Sequence, residues 1–160
     1  MTILAATGAQ RGTRGYSLHI ATEGDQVRAA QALRYRIFAG ELGADLHTLE
    51  PGLDIDLFDA DCDHLLIQAE PTGEVVGTYR MLPPGRRARL YADGEFDLRG
   101  LRYLRPGMVE TGRSCVHPDH RTGAVVNLMW AARDAAMTTW QPVSGCGPAC
   151  RIGGDERVGP

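Results

Sequence analysis

Several features that would mark particular classes of protein are scarce or absent in this sequence. Its 160 residues carry 17 basic and 20 acidic side chains, a formal net charge of −3. A general nucleic-acid-binding protein would carry a basic surplus, so the charge argues against that class. No apolar run approaches the roughly 20 residues that span a bilayer. Residues 1–15 lack the basic start and long apolar run of a signal peptide, which favours a cytoplasmic location.

Metal ligands are also too few and unfavourably spaced. The sequence contains four cysteines, Cys62, Cys115, Cys146 and Cys150. The last two form a C-x3-C pair without a second pair, and His117 and His120 have no third ligand in register, whereas a structural zinc site needs four ligands. We therefore expect no metal and unpaired, reduced thiols. A nucleophilic Cys115, activated by the adjoining Arg113, is the alternative.

The hydrophobic periodicity that is present predicts an α/β fold. In chain order the predicted elements are strand 16–22, helix 24–43, strands 64–70 and 74–84 joined as a hairpin by the turn PTG, strand 108–116 and helix 123–137. The last helix is expected to bury four apolar side chains, Val125, Leu128, Met129 and Ala132. Glycine and proline interrupt the sequence after residue 137, where periodicity ends. We expect a flexible arm over 1–15, one domain over 16–137 and an irregular tail over 138–160.

The stretch VETGRSCVHPDHRTGAVVNLMW, residues 109–130, combines a charged strand, a turn and the start of an apolar helix. Glu110 and Arg113 would face opposite sides of a regular strand, but a bulge at the intervening glycine would bring them together. Arg121 and Gly123 lie where unpaired helix N–H groups favour a phosphate. The alternative is an ordinary βα unit with Glu110 paired to an arginine such as Arg80.

Two further clusters carry charge. Five aspartates lie within ten residues, at Asp54, Asp56, Asp59, Asp61 and Asp63. They do not fit a calcium loop, because Phe58 and Asp59 stand where an oxygen ligand and glycine are needed. They could attract a cationic substrate or form a solvated acidic loop. Residues 85–89, GRRAR, form either a solvent-facing basic patch or a docking surface for an acidic partner.

Five stretches in order resemble one family. They are LRYRIFAGELGA, DLFDADCDHLLI, VVGTYRMLPP, GEFDL and VETGRSCVHPDHRTGAVVNLMW. Their pattern resembles the hemolysin-like or ornithine-lipid N-acyltransferases of the GNAT superfamily over about residues 16–137, and the same skeleton is similar to acyl-homoserine-lactone synthases. The resemblance implies a GNAT-like mixed sheet flanked by helices. It also implies that the C-terminal part is missing, because residues 138–160 replace an expected strand, as a shifted reading frame or a shortened domain would.

The resemblance also implies a role for individual residues. Glu110 would accept the proton of the acceptor amine, with Arg113 beside it, and the amides of Cys115 and Val116 would polarise a thioester carbonyl. The donor phosphate would be held by four consecutive residues, Arg121, Thr122, Gly123 and Ala124. The acceptor pocket would be shaped by five charged residues, Arg34, Arg36, Asp56, Asp59 and Arg80.

The implied reaction transfers a 3-hydroxyacyl chain from acyl carrier protein to the α-amine of ornithine, the first step of ornithine-lipid synthesis. The donor is the phosphopantetheine thioester, with no tightly bound cofactor. A lipid product allows peripheral contact with the inner face of the membrane. Two alternatives stay open: an acyl-homoserine-lactone-type signal synthase, and an inactive remnant that binds acyl carrier protein or nothing.

Overall fold

The computed structural model describes residues 15–70 and 72–139 of the chain. In chain order its main elements are β1 (Tyr16–Ile20), α1 (Gly24–Tyr35), β2 (Asp63–Ala69), β3 (Glu74–Leu82), β4 (Glu110–Val116) and α2 (Gly123–Thr139). Each predicted element is therefore present, with bounds that differ by a few residues. Most of the predicted arm and tail, residues 1–14 and 140–160, lies outside the described residues. No described helix is both long enough and apolar enough to cross a bilayer.

The four strands form one sheet in the order β1-β2-β3-β4. All three pairings are antiparallel, and β2 and β3 form the predicted hairpin. The predicted α/β architecture is confirmed, although the described strands contain no parallel pair of the kind a mixed sheet has. Among the described residues β4 has a strand partner on one side only, so its other edge is unpaired.

The two helices cover opposite faces of the sheet, as adjacent side chains of β4 show. Cys115 packs with Leu33, near the end of α1, and with Ile37, just after it. The next residue, Val116, packs against the cluster that contains Val125 of α2. Because successive side chains of a strand point to opposite faces, α1 and α2 must lie on different sides.

The α2 face holds the larger core. Its buried members include Leu65, Ile67, Val76, Met81, Val125, Met129 and Ala132. Val125, Met129 and Ala132 were predicted from helical spacing, and Leu128 packs partly buried against the same cluster. At Gly77 an added Cβ would lie only 3.1 Å from Cγ1 of Val125, so glycine lets the helix approach the sheet.

Helix α1 begins where Gln26 Oε1 accepts hydrogen bonds from the N–H groups of Thr22 and Glu23, at 2.8 and 3.2 Å. It continues into a π-helical turn over Arg36–Glu41, which accounts for the longer helix predicted from periodicity. Between β3 and β4 the chain forms three short 3-10 turns, Tyr91–Gly94, Arg99–Leu101 and Arg105–Gly107. This connecting segment passes over the end of β4.

Candidate active site

A cavity of about 200 Å³ lies between the β3–β4 pair and the segment that connects them. Its lining residues are Cys62, Arg80, Leu82, Tyr91, Glu110, Thr111, Gly112 and Arg113. Three predicted site residues, Glu110, Arg80 and Arg113, are therefore brought together. Cys62 and Tyr91 were not predicted as site residues, and their local sequence contains no signal that they would line the same cavity as Glu110.

A bulge in β4 explains how Glu110 and Arg113 reach the same cavity. Arg80 pairs with Gly112 and Thr78 pairs with Cys115, so the single residue Tyr79 of β3 lies opposite two residues of β4, Arg113 and Ser114. Arg113 takes up the extra residue with a φ of 52°, the left-handed region that non-glycine residues rarely adopt. The predicted bulge is present, and it brings the Arg113 side chain to the cavity that Glu110 also lines.

Behind the cavity, three arginines and three aspartates alternate in a closed ring of ion pairs. The order around the ring is Arg34, Asp54, Arg113, Asp56, Arg80, Asp59 and back to Arg34. The six N···O contacts span 2.6 to 3.3 Å. Four members were predicted as acceptor-pocket residues and Arg113 as catalytic, whereas Asp54 was counted only in the acidic loop.

Hydrogen bonds within the ring lower the pKa values of two of its carboxylates, although the ring is largely buried. Arg34 is fully buried and Asp59 nearly so. Burial alone would raise the pKa of Asp59, but hydrogen bonds from Arg34, then Arg80 and Gln31, lower it to about 2. The pKa of Asp56 is lowered in the same way, against its burial, by the hydrogen bond from Arg80. Asp56 and Asp59 therefore stay ionised at neutral pH.

The aspartate-rich loop consequently differs from both hypotheses for it. Asp61 and Asp63 outside the ring also pair with arginines, at 2.7 Å to Arg87 and 2.6 Å to Arg86. All five clustered carboxylates are thus neutralised, so the loop is neither a solvated acidic stretch nor an unbalanced attractor of cations. Arg86 and Arg87 of the GRRAR stretch are the arginines of these two pairs, so this stretch is not simply a solvent-facing basic patch.

One alternative paired Glu110 with an arginine such as Arg80, but the structure contains no ion pair between these two described residues. The Glu110 carboxylate instead accepts hydrogen bonds from the N–H groups of Tyr91 at 2.7 Å and Ala92 at 2.9 Å. Each of the two carboxylate oxygens accepts one of these bonds, and each keeps a lone pair that can accept a proton. These bonds tie the connecting segment to β4 and fix the carboxylate at the wall of the cavity.

Of the predicted acceptor-pocket residues, Arg36 is the one that joins neither the cavity lining nor the ring behind it. It lies two residues after Arg34, on the solvent side of the π-helical turn, and half of its side chain is exposed. Its ion-pair partner is Glu74 at 3.7 Å. Positions two apart in a helix point in different directions, so Arg34 and Arg36 cannot both enter the ring.

At the outer edge of β4 the backbone of Val116 is available and that of Cys115 is not. The His117 N–H donates to Val76 O at 2.8 Å, toward β3. Amides alternate along a strand, so the Cys115 N–H also points toward β3, and the Val116 N–H points to the free edge. Consistent with this, Val116 O accepts from Arg121 Nε at 3.2 Å. Only one of the two predicted carbonyl-polarising amides is therefore accessible.

A second, mostly apolar cavity of about 300 Å³ adjoins that edge. Its lining residues are Tyr79, Ser114, Val116, Val126, Met129, Trp130 and Arg133. Val126 and Trp130 of α2 are exposed and line this cavity, and no local pattern in the sequence identifies them as cavity residues.

The predicted phosphate-binding junction lies where α2 begins. Arg121 is held by Glu41, with contacts of 2.6 and 2.5 Å between the guanidinium and carboxylate. The Thr122 N–H donates to His120 O at 2.7 Å, whereas a Cβ at Gly123 would meet nothing within 4 Å. The helix start is thus open at Gly123, and its nearest cation already has a partner.

The two described thiols are poorly suited to nucleophilic attack. Burial raises the pKa of Cys115 to about 12 and that of Cys62 to about 11. Both thiols are free, and both are neutral at physiological pH. Because the thiolate is the nucleophilic form, neither thiol is activated.

The rings of His117 and His120 make an edge-to-face contact, with centroids 5.6 Å apart. His117 precedes the 3-10 turn Pro118–His120, and His120 ends it. No set of three metal-ligating side chains occurs within 15–70 and 72–139.

Comparisons with known proteins agree with this architecture. The acetyltransferase (GNAT) domain family matches residues 33–131. The chain is 43% identical to an L-ornithine N(alpha)-acyltransferase of Rhodobacter capsulatus over 127 residues, 73% of this chain and 49% of that protein. It is 40% identical to the protein of the same name from Brucella abortus, over 65% of this chain and 41% of that protein. The chain therefore spans about half the length of the curated relatives it matches.

Solved structures share the fold at low sequence identity. The AHL synthase LasI superposes with a TM-score of 0.58 at 17% identity, covering 79% of this chain and 68% of that one. An acyl-CoA N-acyltransferase from Pseudomonas aeruginosa gives a TM-score of 0.51 at 22% identity, with 80% and 72% covered. At such identities the likeness establishes the fold and does not extend to the substrate.

Proposed function

Because the chain belongs to the acetyltransferase (GNAT) family, we propose that it transfers an acyl chain from a thioester donor to the α-amine of ornithine. The observation that carries this proposal is the cavity in which Glu110 meets Arg80 and Arg113. The similarity to two L-ornithine N(alpha)-acyltransferases supports ornithine as the acceptor. Among the alternatives, a signal synthase has only the fold of LasI in its favour.

In the proposed reaction the amine nitrogen attacks the thioester carbonyl carbon, the N–C bond forms and the C–S bond breaks. An α-amine is largely protonated at neutral pH, so a base must take a proton before or during attack. Glu110 accepts that proton directly or through a water molecule. The departing sulfur leaves as the thiol of the donor after gaining a proton. No covalent enzyme intermediate is needed, in agreement with the neutral thiols.

The donor side lies at the edge of β4. The Val116 N–H is the group that would polarise the thioester carbonyl, and such a donor is worth roughly 10²–10³ in rate. The apolar cavity beside Trp130 has the character needed for the acyl-bearing arm of the donor. The open helix start at Gly123 and the guanidinium of Arg121 would hold its phosphate, once Glu41 shares or releases that side chain.

We further propose acyl carrier protein as the donor and a long 3-hydroxyacyl chain as the group transferred. The chain would act at the cytoplasmic side of the membrane and contact it peripherally when the lipid product leaves. The measurement that separates this donor from acyl-CoA is a comparison of the two as substrates at equal concentration.

The function is tested by mass spectrometry of the purified 160-residue chain with 3-hydroxyacyl carrier protein and L-ornithine. N-acyl-ornithine is the expected product, whereas consumption of S-adenosylmethionine would indicate a signal synthase. Glu110→Gln should lower kcat by about 10²–10⁴ by removing the base. Glu74→Gln is the matched control, because Glu74 is an exposed carboxylate outside the cavity. An unchanged rate in Glu110→Gln would exclude Glu110 as the base.

A further inference from the structure

The guanidinium of Arg80 uses only part of its hydrogen-bonding capacity. Its three hydrogen bonds to described residues, two to Asp56 and one to Asp59, all come from Nη1, at 2.6 to 2.9 Å. Within the described chain, Nε and Nη2 donate to no other residue. These two groups share one edge of the guanidinium plane, the edge that binds a carboxylate with two parallel hydrogen bonds.

This unused edge is accessible at the cavity, and the rest of the side chain is buried and held in place. Arg80 is only 6% exposed and lines the cavity together with Glu110 and Arg113. Asp56 and Asp59 fix the opposite side of its guanidinium, so the side chain cannot turn away without breaking the ring. A ligand that supplies two acceptors can therefore bind this fixed edge with two charge-assisted hydrogen bonds, in place of solvent.

Arg113 offers a further donor at the same cavity. Its Nη2 contacts Asp56 at 3.3 Å and its Nε lies 3.3 Å from Asp54. Its Nη1 has no hydrogen-bond partner among the residues that the structure describes. The guanidinium rests near the rings of Tyr91, 5.4 Å, and Phe38, 5.9 Å from the centroids. These contacts hold Arg113 at the cavity without consuming that donor.

We propose that Arg80, through Nε and Nη2, and Arg113, through Nη1, form a subsite for the α-carboxylate of the acceptor. The inference rests on the proposed acylation of an amino acid and deepens it. A ligand bound by its carboxylate at Arg80 directs the adjacent α-amine toward Glu110 on the neighbouring strand. The protein thereby selects α-amino acids over amines that lack a carboxylate.

The charges agree with this assignment. The ring of three arginines and three aspartates is neutral, and Glu110 adds one negative charge to the cavity. An α-amino acid presents a carboxylate to the arginine edge and an amine to Glu110, so opposite charges meet at both positions. A diamine would place a second cation where guanidinium donors point, which is unfavourable. The carboxylate thus decides both selectivity and orientation.

The test compares L-ornithine with L-ornithinamide, which differ only in the carboxylate. Binding of each to the full chain is measured by calorimetry, and the ¹⁵N–¹H signals of arginine Nε groups are followed in parallel. L-ornithine should bind roughly 10- to 100-fold more tightly, the usual range for hydrogen bonds to a charged group. The Nε signal of Arg80 should shift with L-ornithine and not with L-ornithinamide.

The variant Arg80→Lys retains a cation for the aspartates but loses the two-donor edge. Its preference for L-ornithine over L-ornithinamide should fall close to one, whereas general damage to the site would weaken both ligands equally. If Arg80→Lys fails to unfold cooperatively, Arg113→Lys provides the same comparison. Equal binding of the two ligands to the natural chain, or binding of neither, would overturn the carboxylate subsite. The mass-spectrometric assay of ornithine acylation then still decides the proposed function.

Discussion

The ring of ion pairs makes a quantitative prediction about stability. In Asp59→Asn the ring keeps three guanidinium groups but only two carboxylates. Asp59 contacts Arg34 at 2.8 Å, Arg80 at 2.9 Å and Gln31 at 2.9 Å, all in buried surroundings. Removing one partner from a buried charge cluster leaves an uncompensated charge and costs about 3–5 kcal/mol. We expect the free energy of unfolding at pH 7 to fall by that amount.

The same substitution has a predicted dependence on pH. The pKa of Asp59 is about 2 in the folded chain, against an ordinary value of 3.8. Because the folded pKa is lowered, the natural chain gains stability from this group above about pH 4 and loses it as pH falls toward 2. That loss amounts to about 2 kcal/mol, at about 1.4 kcal/mol for each pKa unit. The difference between the natural chain and Asp59→Asn should shrink accordingly.

Urea denaturation followed by circular dichroism at several pH values measures both quantities. Asp97→Asn is the control, since Asp97 also pairs with an arginine, Arg99 at 2.7 Å, but both side chains are largely exposed. Such a pair is worth about 0–1 kcal/mol. If Asp59→Asn destabilises the chain no more than Asp97→Asn, or by an amount that does not change with pH, the buried ring is not a stabilising unit.

Two further predictions follow from packing and burial. Gly77→Ala places a Cβ 3.1 Å from Val125 and should lower the unfolding free energy by about 1–3 kcal/mol, whereas Gly123→Ala, which meets no atom within 4 Å, should change it little. Equal stability of the two variants would contradict the close approach of α2. Because burial raises their pKa values, Cys62 and Cys115 should react with iodoacetamide at pH 8 far more slowly in the folded chain than in urea. Mass spectrometry of peptides locates the label, and rapid labelling of folded Cys115 would contradict its burial.

Local patterns accounted for the elements and for part of the site. Apolar spacing predicted both helices, and the turn between β2 and β3 predicted their hairpin. The glycine before Arg113 indicated a bulge, which the register of β4 contains. Arg36 was expected to shape the acceptor pocket, but it lies two residues after Arg34, half exposed and paired with Glu74. The Cys115 amide was expected at the thioester, but strand alternation points it to β3.

What the sequence determined by itself was therefore local: the order of strands and helices, the apolar face of α2 and the charged residues available for a site. Which charges meet was decided only by the tertiary structure. Asp56 and Arg113 are 57 residues apart, and Glu41 and Arg121 are 80 apart. An aspartate has the same local signal whether it faces water or a buried guanidinium. Tertiary packing set Asp54, Asp56 and Asp59 against the arginines of α1, β3 and β4, while Arg86 and Arg87 paired with Asp63 and Asp61. The same packing left one edge of Arg80 open to a ligand.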